Sequence, residues 1–146
     1  MTKTAFLFAG QGAQYLGMGR ELYNQYPIVK ETIDQASQVL GYDLRYLIDT
    51  EEEKLNQTRY TQPAILATSV AIYRLLQEKG YQPDMVAGLS LGEYSALVAR
   101  GSELLLLPPP QPARSSMTAA LSCSLRVLID MVCTCVPKGR CQQQPA

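Results

Sequence analysis

The chain has 146 residues, 47% of them hydrophobic, with 13 basic and 13 acidic side chains and no histidine. That length suits one domain or part of one, and the apolar fraction is that of a folded protein rather than a disordered one. A formal net charge of zero excludes the basic field that draws proteins to nucleic acid or to acidic membrane surfaces. Met1-Thr2-Lys3 leads directly into a short apolar run that is wrongly flanked for a secretion signal. No run is long enough to span a bilayer, so a cytoplasmic protein is expected.

In chain order, Thr4 to Phe8 is apolar and is ended by Ala9-Gly10, which predicts a buried strand. Gly10-Gln11-Gly12-Ala13-Gln14 follows as a loop. A helix is expected over roughly Gly17 to Tyr26. Pro27 suits the first turn of another helix that runs to about Leu40 and is closed by Gly41. Asp43 to Asp49 predicts one short helix, and Glu51-Glu52-Glu53 a solvated acidic turn. Thr61-Gln62-Pro63 opens the best helix in the chain, with Ile65, Ser69, Ile72 and Leu76 on one stripe and Gly80 as its stop. After a turn at Gln82-Pro83 come a second strand, Met85 to Ala87, a sharp turn at Ser90, and a helix starting at Leu91.

Strand, helices, strand, turn, helix is the order of an α/β unit whose parallel strands are joined by a helical crossover. Two strands are too few for such a sheet, which needs neighbours and both faces covered. The expected fold is therefore the first part of a parallel-sheet subdomain, incomplete as it stands.

Composition changes near Arg100. All nine tyrosines and both phenylalanines lie at or before Tyr94, while all four cysteines lie after it. Six of the nine prolines fall beyond residue 107, three of them consecutive as Pro108-Pro109-Pro110. The expected division is residues 1–99 as a selected core and residues 100–146 as an unrelated tail, irregular or disordered. Only Leu125 to Val132 has the apolar density to add a strand. In the tail, Cys133-Thr134-Cys135 with Cys123 and Cys141 at irregular distances lacks the paired spacing of a structural zinc site, so no metal is expected.

The chemistry centres on Gly88-Leu89-Ser90-Leu91-Gly92. A Gly-x-Ser-x-Gly stretch between a strand and a helix is the arrangement of a nucleophile elbow, in which the serine hydroxyl stands at the tip of the turn. Gly88 and Gly92 would let the backbone take strained angles and let strand and helix pass close together. The Gly10–Gln14 loop leaves the first strand at the same carboxyl edge, where ligands bind in parallel sheets. The main-chain amides of Gln11 and Leu91 are then candidates for an oxyanion hole. The bland alternatives are an ordinary strand-to-helix turn at Ser90 and an ordinary turn at Gln11.

Three stretches in this order, Gly10-Gln11-Gly12-Ala13-Gln14, Thr61-Gln62-Pro63-Ala64 and Gly88 to Ala96, resemble the malonyl-CoA:acyl carrier protein transacylases of bacterial type II fatty acid synthesis. The resemblance covers about residues 1–99, the first third of a usual family member. It implies an α/β-hydrolase-like subdomain in which Ser90 accepts malonyl from coenzyme A and passes it to the carrier protein's phosphopantetheine thiol. Gln11 and Leu91 would supply the oxyanion amides, and no cofactor beyond the malonyl-CoA substrate is implied. Gln62 corresponds to the family's glutamine of the Gln-Pro pair, with a structural role expected.

The departures from the family bear on activity. Leu89 stands where members commonly have a histidine, and the family's histidine base has no counterpart in a chain without histidine. Neither Arg114 nor Arg100 lies in the motif of the arginine that binds the malonyl carboxylate. Full activity is therefore not expected, and the tail reads as an out-of-frame translation. A serine hydrolase using the same elbow, or a fragment without enzymatic activity, are the alternative readings.

Overall fold

The computed structural model describes residues 3–100, and the expectations for the tail, including its four cysteines, Arg114 and Leu125 to Val132, lie outside the described residues. Eight elements follow one another: β1 (Ala5–Phe8), α1 (Arg20–Gln25), α2 (Pro27–Leu40), α3 (Leu44–Thr50), α4 (Glu52–Leu55), α5 (Thr58–Glu78), β2 (Met85–Gly88) and α6 (Gly92–Ala99). The two strands pair in parallel, with Ala5 opposite Met85 and Phe8 opposite Gly88. The architecture is thus mixed α/β, with a small parallel sheet joined by a helical crossover.

Local signals set most of the boundaries. Pro27 fills the first position of α2, where its missing N–H costs nothing, and Gly41 ends that helix in the left-handed conformation with φ 76°. Asp43 caps α3 by accepting a hydrogen bond from the Tyr46 amide. Four expectations are corrected. Gly17 and Gly19 have positive φ values of 78° and 71°, so α1 starts only at Arg20. The acidic stretch is not a plain turn: Glu52 and Glu53 open the short helix α4, because Leu55 at its end is buried in the core.

The third correction concerns the start of α5, which lies at Thr58 rather than Thr61 and leaves Pro63 inside the helix. Pro63 cannot make the bond back to Arg59. The Thr61 hydroxyl, fully buried, holds this first turn instead by donating to the Leu55 carbonyl, and it also lies 3.0 Å from the carbonyl of Gln57. Lastly, the stripe of Ile65, Ser69, Ile72 and Leu76 is not the main buried face. Ala64, Ala67, Val70, Ala71 and Leu75 are buried in the core, whereas Ser69, Ile72 and Leu76 border a hollow of about 320 Å³ along β1.

The core lies among the helices: Ile33 and Ala36 of α2, Leu44 and Ile48 of α3, Leu55 of α4 and Leu66 and Val70 of α5 are at most 2% exposed. The sheet is less protected, and β1, expected as a buried strand, alternates instead between exposed and half-buried residues. One face carries Phe6 and Phe8, whose rings meet Tyr73 of α5 edge-on at centroid distances of 6.3 and 6.4 Å. On the other face Leu7 is 80% and Met85 58% exposed, consistent with the expectation of an incomplete sheet. Among the described residues no helix is long and apolar enough to cross a membrane.

Candidate active site

The carboxyl ends of β1 and β2 place both expected motifs side by side. β2 ends at Gly88, Ser90 turns the chain with φ 53°, and α6 begins at Gly92 with Leu91 as its capping residue rather than its first turn. A φ of 53° is left-handed backbone, which costs a residue with a side chain on the order of 1–3 kcal/mol. Ser90 is the one described residue other than glycine with a positive φ. Its turn is held by main-chain bonds from Gly92 to the Leu89 carbonyl (2.9 Å) and from Glu93 to the Ser90 carbonyl (3.0 Å).

Neither Gly88 nor Gly92 has a positive φ, which corrects the expectation that these glycines take up the strained angles. Their role is space. A Cβ on Gly88 would lie 2.1 Å from the Gly92 carbonyl carbon and oxygen, and one on Gly92 would lie 2.2 Å from the Phe8 carbonyl oxygen. Strand and helix can approach to that distance only without side chains.

Gly10 makes the matching approach from the other motif. A Cβ there would lie 2.5 Å from the Leu89 carbonyl oxygen and 3.6 Å from the Ser90 Cβ. The loop carrying Gln11 therefore rests directly on the turn carrying Ser90. Ser90 and Gln11 are exposed, whereas Leu91 is buried. Among the described residues, neither the Gln11 nor the Leu91 main-chain amide donates to a protein acceptor. The Leu91 amide follows the serine directly, the Gln11 amide belongs to the loop packed on its turn, and the dipole of α6, which begins there, favours negative charge.

The Gln11 loop is itself held by side chains from the start of α5. Gln62 donates to the Gln11 side-chain carbonyl at 3.2 Å, and the Gln11 amide nitrogen donates to the Thr58 hydroxyl at 3.1 Å. Gln14 accepts from the Gly12 amide at 2.9 Å and donates to Asn56 at 3.2 Å. Gln62 was expected from the sequence, but Thr58, Asn56 and Gln14 were not. The one available signal was the i, i+4 spacing of Thr58 and Gln62, which puts both on one helix face.

Behind this loop, the chain is tied to α3. Arg45, 9% exposed, donates to both carboxylate oxygens of Asp49 and to the Met18 carbonyl (3.0 Å), and Arg20 reaches the same carboxylate at 3.0 Å. A cavity of about 620 Å³ opens beside the loop, lined by Ala13, Leu16, Met18, Ile65 and Thr68 among others, but Ser90 is not part of it. No group of three or more His, Cys, Asp or Glu that could hold a metal ion occurs among the described residues.

The two motifs thus meet at one turn, where a left-handed serine stands between closely packed strand and helix. Residues 5–105 match the acyl transferase domain family, and the chain belongs to it. Among its relatives are proteins named malonyl CoA-acyl carrier protein transacylase. The one from Haemophilus influenzae is 57% identical over 104 residues, and the one from Bacillus subtilis strain 168 is 50% identical over 103. These matches take in 69% and 70% of the chain, but only 33% and 32% of the relatives. The chain thus spans about a third of the length of the curated relatives it matches. Its fold is similar to the crystal structure of MCAT from Streptococcus pneumoniae, with a TM-score of 0.72 and 72% identity over 89% of this chain and 37% of that one. A holo complex of a type II PKS acyl-carrier protein with its malonyl-transacylase contains a similar chain, with a TM-score of 0.72 and 42% identity over 90% of this chain and 38% of that one.

Proposed function

We propose that the turn at Ser90 is a nucleophile elbow of the α/β-hydrolase-like kind and that the chain carries the nucleophile half of a malonyl transferase site. The observation that carries this reading is the contact between the two motifs: Gly10 lies against Leu89 and Ser90, and the Gln11 and Leu91 amides next to them have no protein acceptor among the described residues.

In the proposed reaction the Ser90 Oγ attacks the thioester carbonyl of malonyl-CoA. The carbonyl oxygen takes up negative charge, and the Gln11 and Leu91 amides receive it. Collapse of this intermediate breaks the carbon–sulfur bond, leaves malonyl as an ester on Ser90 and releases coenzyme A, whose sulfur takes up a proton. The carrier protein's phosphopantetheine thiol then attacks the ester, and the serine oxygen regains its proton. Acyl–oxygen and acyl–sulfur bonds exchange without any redox change, so the chemistry needs no cofactor. With malonyl-CoA and acyl carrier protein as substrates, the setting proposed for the reaction is the cytoplasm.

Each oxyanion donor is worth ~10²–10³ in rate, but a serine hydroxyl is a weak nucleophile until a base takes its proton. With no histidine in the chain, transfer by this chain alone is slow. The test is incubation of the purified chain with malonyl-CoA, with and without added imidazole as a diffusible base. Intact-mass analysis then follows malonylation of Ser90, and carrier protein is added to follow the second step. Imidazole should raise the rate of serine ester formation, and Ser90→Ala should abolish it. Labelling that persists in Ser90→Ala, or a rate indifferent to imidazole, overturns the proposal.

A further inference from the structure

The loop that bears Gln11 has little main-chain support of its own. Its internal bond, from the Ala13 amide to the Gly10 carbonyl, is long at 3.4 Å. Gly12 sits at φ 109°, with nothing within 4 Å of where its Cβ would be. What fixes the loop is the set of side-chain bonds to the beginning of α5. The carboxamide of Gln11 is used at both ends, its oxygen accepting from Gln62 and its nitrogen donating to Thr58. Gln62 and Thr58 are one helical turn apart on a 21-residue helix, so they present a rigid pair of partners.

We propose that Gln62, assisted by Thr58, is a positioning residue: through the Gln11 side chain it holds the Gln11 main-chain amide at the distance from Ser90 that oxyanion binding requires. This inference rests on the reading of Ser90 as nucleophile and of the Gln11 amide as an oxyanion donor. The chemistry demands a carboxamide at position 62. Gln62 donates to an oxygen, so glutamate, nearly the same in shape, sets an acceptor against an acceptor. A side chain present only for packing would tolerate that change, whereas a positioning side chain would not.

Two measurements on the full chain test the proposal. The first is the main-chain amide chemical shift by NMR in the parent chain, Gln62→Glu and Thr58→Val. Both variants should shift the resonances of Gln11 and Gly12 while leaving residues of α2 unchanged. The second is acylation of Ser90 by p-nitrophenyl acetate in the presence of imidazole. Gln62→Glu should slow acylation about tenfold, part of the ~10²–10³ that loss of a donor costs. Adding Gln11→Ala to that variant should give little further loss, because both act through one path. Unchanged chemical shifts at Gln11 overturn the proposal. Shifted resonances with an unchanged acylation rate also overturn it, since Gln62 would then only support the loop. A parent chain whose Ser90 takes no acyl group even with imidazole overturns the nucleophile reading instead, and the chemical-shift measurement then decides the contact by itself.

Discussion

Gly92→Ala is the sharpest test of how the site is assembled. The new methyl carbon would stand 2.2 Å from the Phe8 carbonyl oxygen, 2.7 Å from its carbon and 2.9 Å from the Ala9 oxygen, all main-chain atoms. No rotamer change relieves such a contact, so the end of β1 must withdraw by about 1 Å to restore ordinary van der Waals separation. Overpacking of this kind costs roughly 1–3 kcal/mol, and alanine's better helix propensity returns at most about 1 kcal/mol. A net loss of about 1–2 kcal/mol lowers the melting midpoint by roughly 5–15 °C in a domain of this size. The larger effect is on reactivity, because the end of β1 leads straight into the Gln11 loop and misplacement by 1 Å can cost ~10²-fold. Circular-dichroism melting and imidazole-assisted acylation of Ser90 measure the two effects separately. A variant that melts and reacts like the parent would refute the argument that these glycines exist to let strand and helix touch.

The other predictions concern the supporting structure. Asp49→Ala leaves the buried Arg45 guanidinium without its carboxylate. Breaking a fully buried pair costs ~3–5 kcal/mol, and because Asp49 is 22% exposed about 2–3 kcal/mol is expected in denaturant unfolding; a loss below about 0.5 kcal/mol would show that the pair contributes as little as a surface one. Tyr23 has its pKa pushed up to about 12, first by burial, then by its 2.8 Å hydrogen bond to Asp34 and by the charges of Asp34 and Asp43. A raised pKa means that the unfolded chain loses the Tyr23 proton first. Its contribution to stability is thus full below about pH 10 and declines as pH rises toward about 12. Stability measured across that window should fall less steeply in Tyr23→Phe, and identical slopes would contradict the assignment.

Much of the fold was legible because its boundaries are set by local chemistry. Pro27, Gly41 and Asp43 mark helix ends by what their own backbones and side chains can do, and each stands where it was expected. The two strands were legible as short apolar runs ending in glycine. What could not be read depends on distant partners. α4 exists because Leu55 finds a core to enter, not because Glu52-Glu53-Lys54 favours a helix. The start of α5 was misplaced because proline in a helix usually marks its first turn, whereas here the buried Thr61 hydroxyl secures a turn before it. In the site, Ser90 and its glycines were recognisable by spacing. The bonds of Gln11 to α5 and of Gln14 to Asn56 span 42 to 51 residues of sequence, and such pairs leave no periodic trace.

The strain at Ser90 and the thinness of the sheet belong to one problem. A left-handed serine costs ~1–3 kcal/mol and persists only where its surroundings over-determine it. Here β1 and β2 alone are insufficient surroundings, since Leu7 and Met85 on their outer face are left to solvent. The restraint comes instead from the helices through the inner face. Phe6 and Phe8 lean on Tyr73, and the Tyr73 hydroxyl donates to the Ala99 carbonyl at 2.8 Å, which ties β1, α5 and the end of α6 to one residue. Gln62 and Thr58 tie the Gln11 loop to the opposite end of the same helix. α5 thus fixes the site from both ends, and its packing against α2 joins that restraint to the best-buried part of the chain. On this view the geometry around Ser90 depends on the helical core more than on the sheet from which the serine projects.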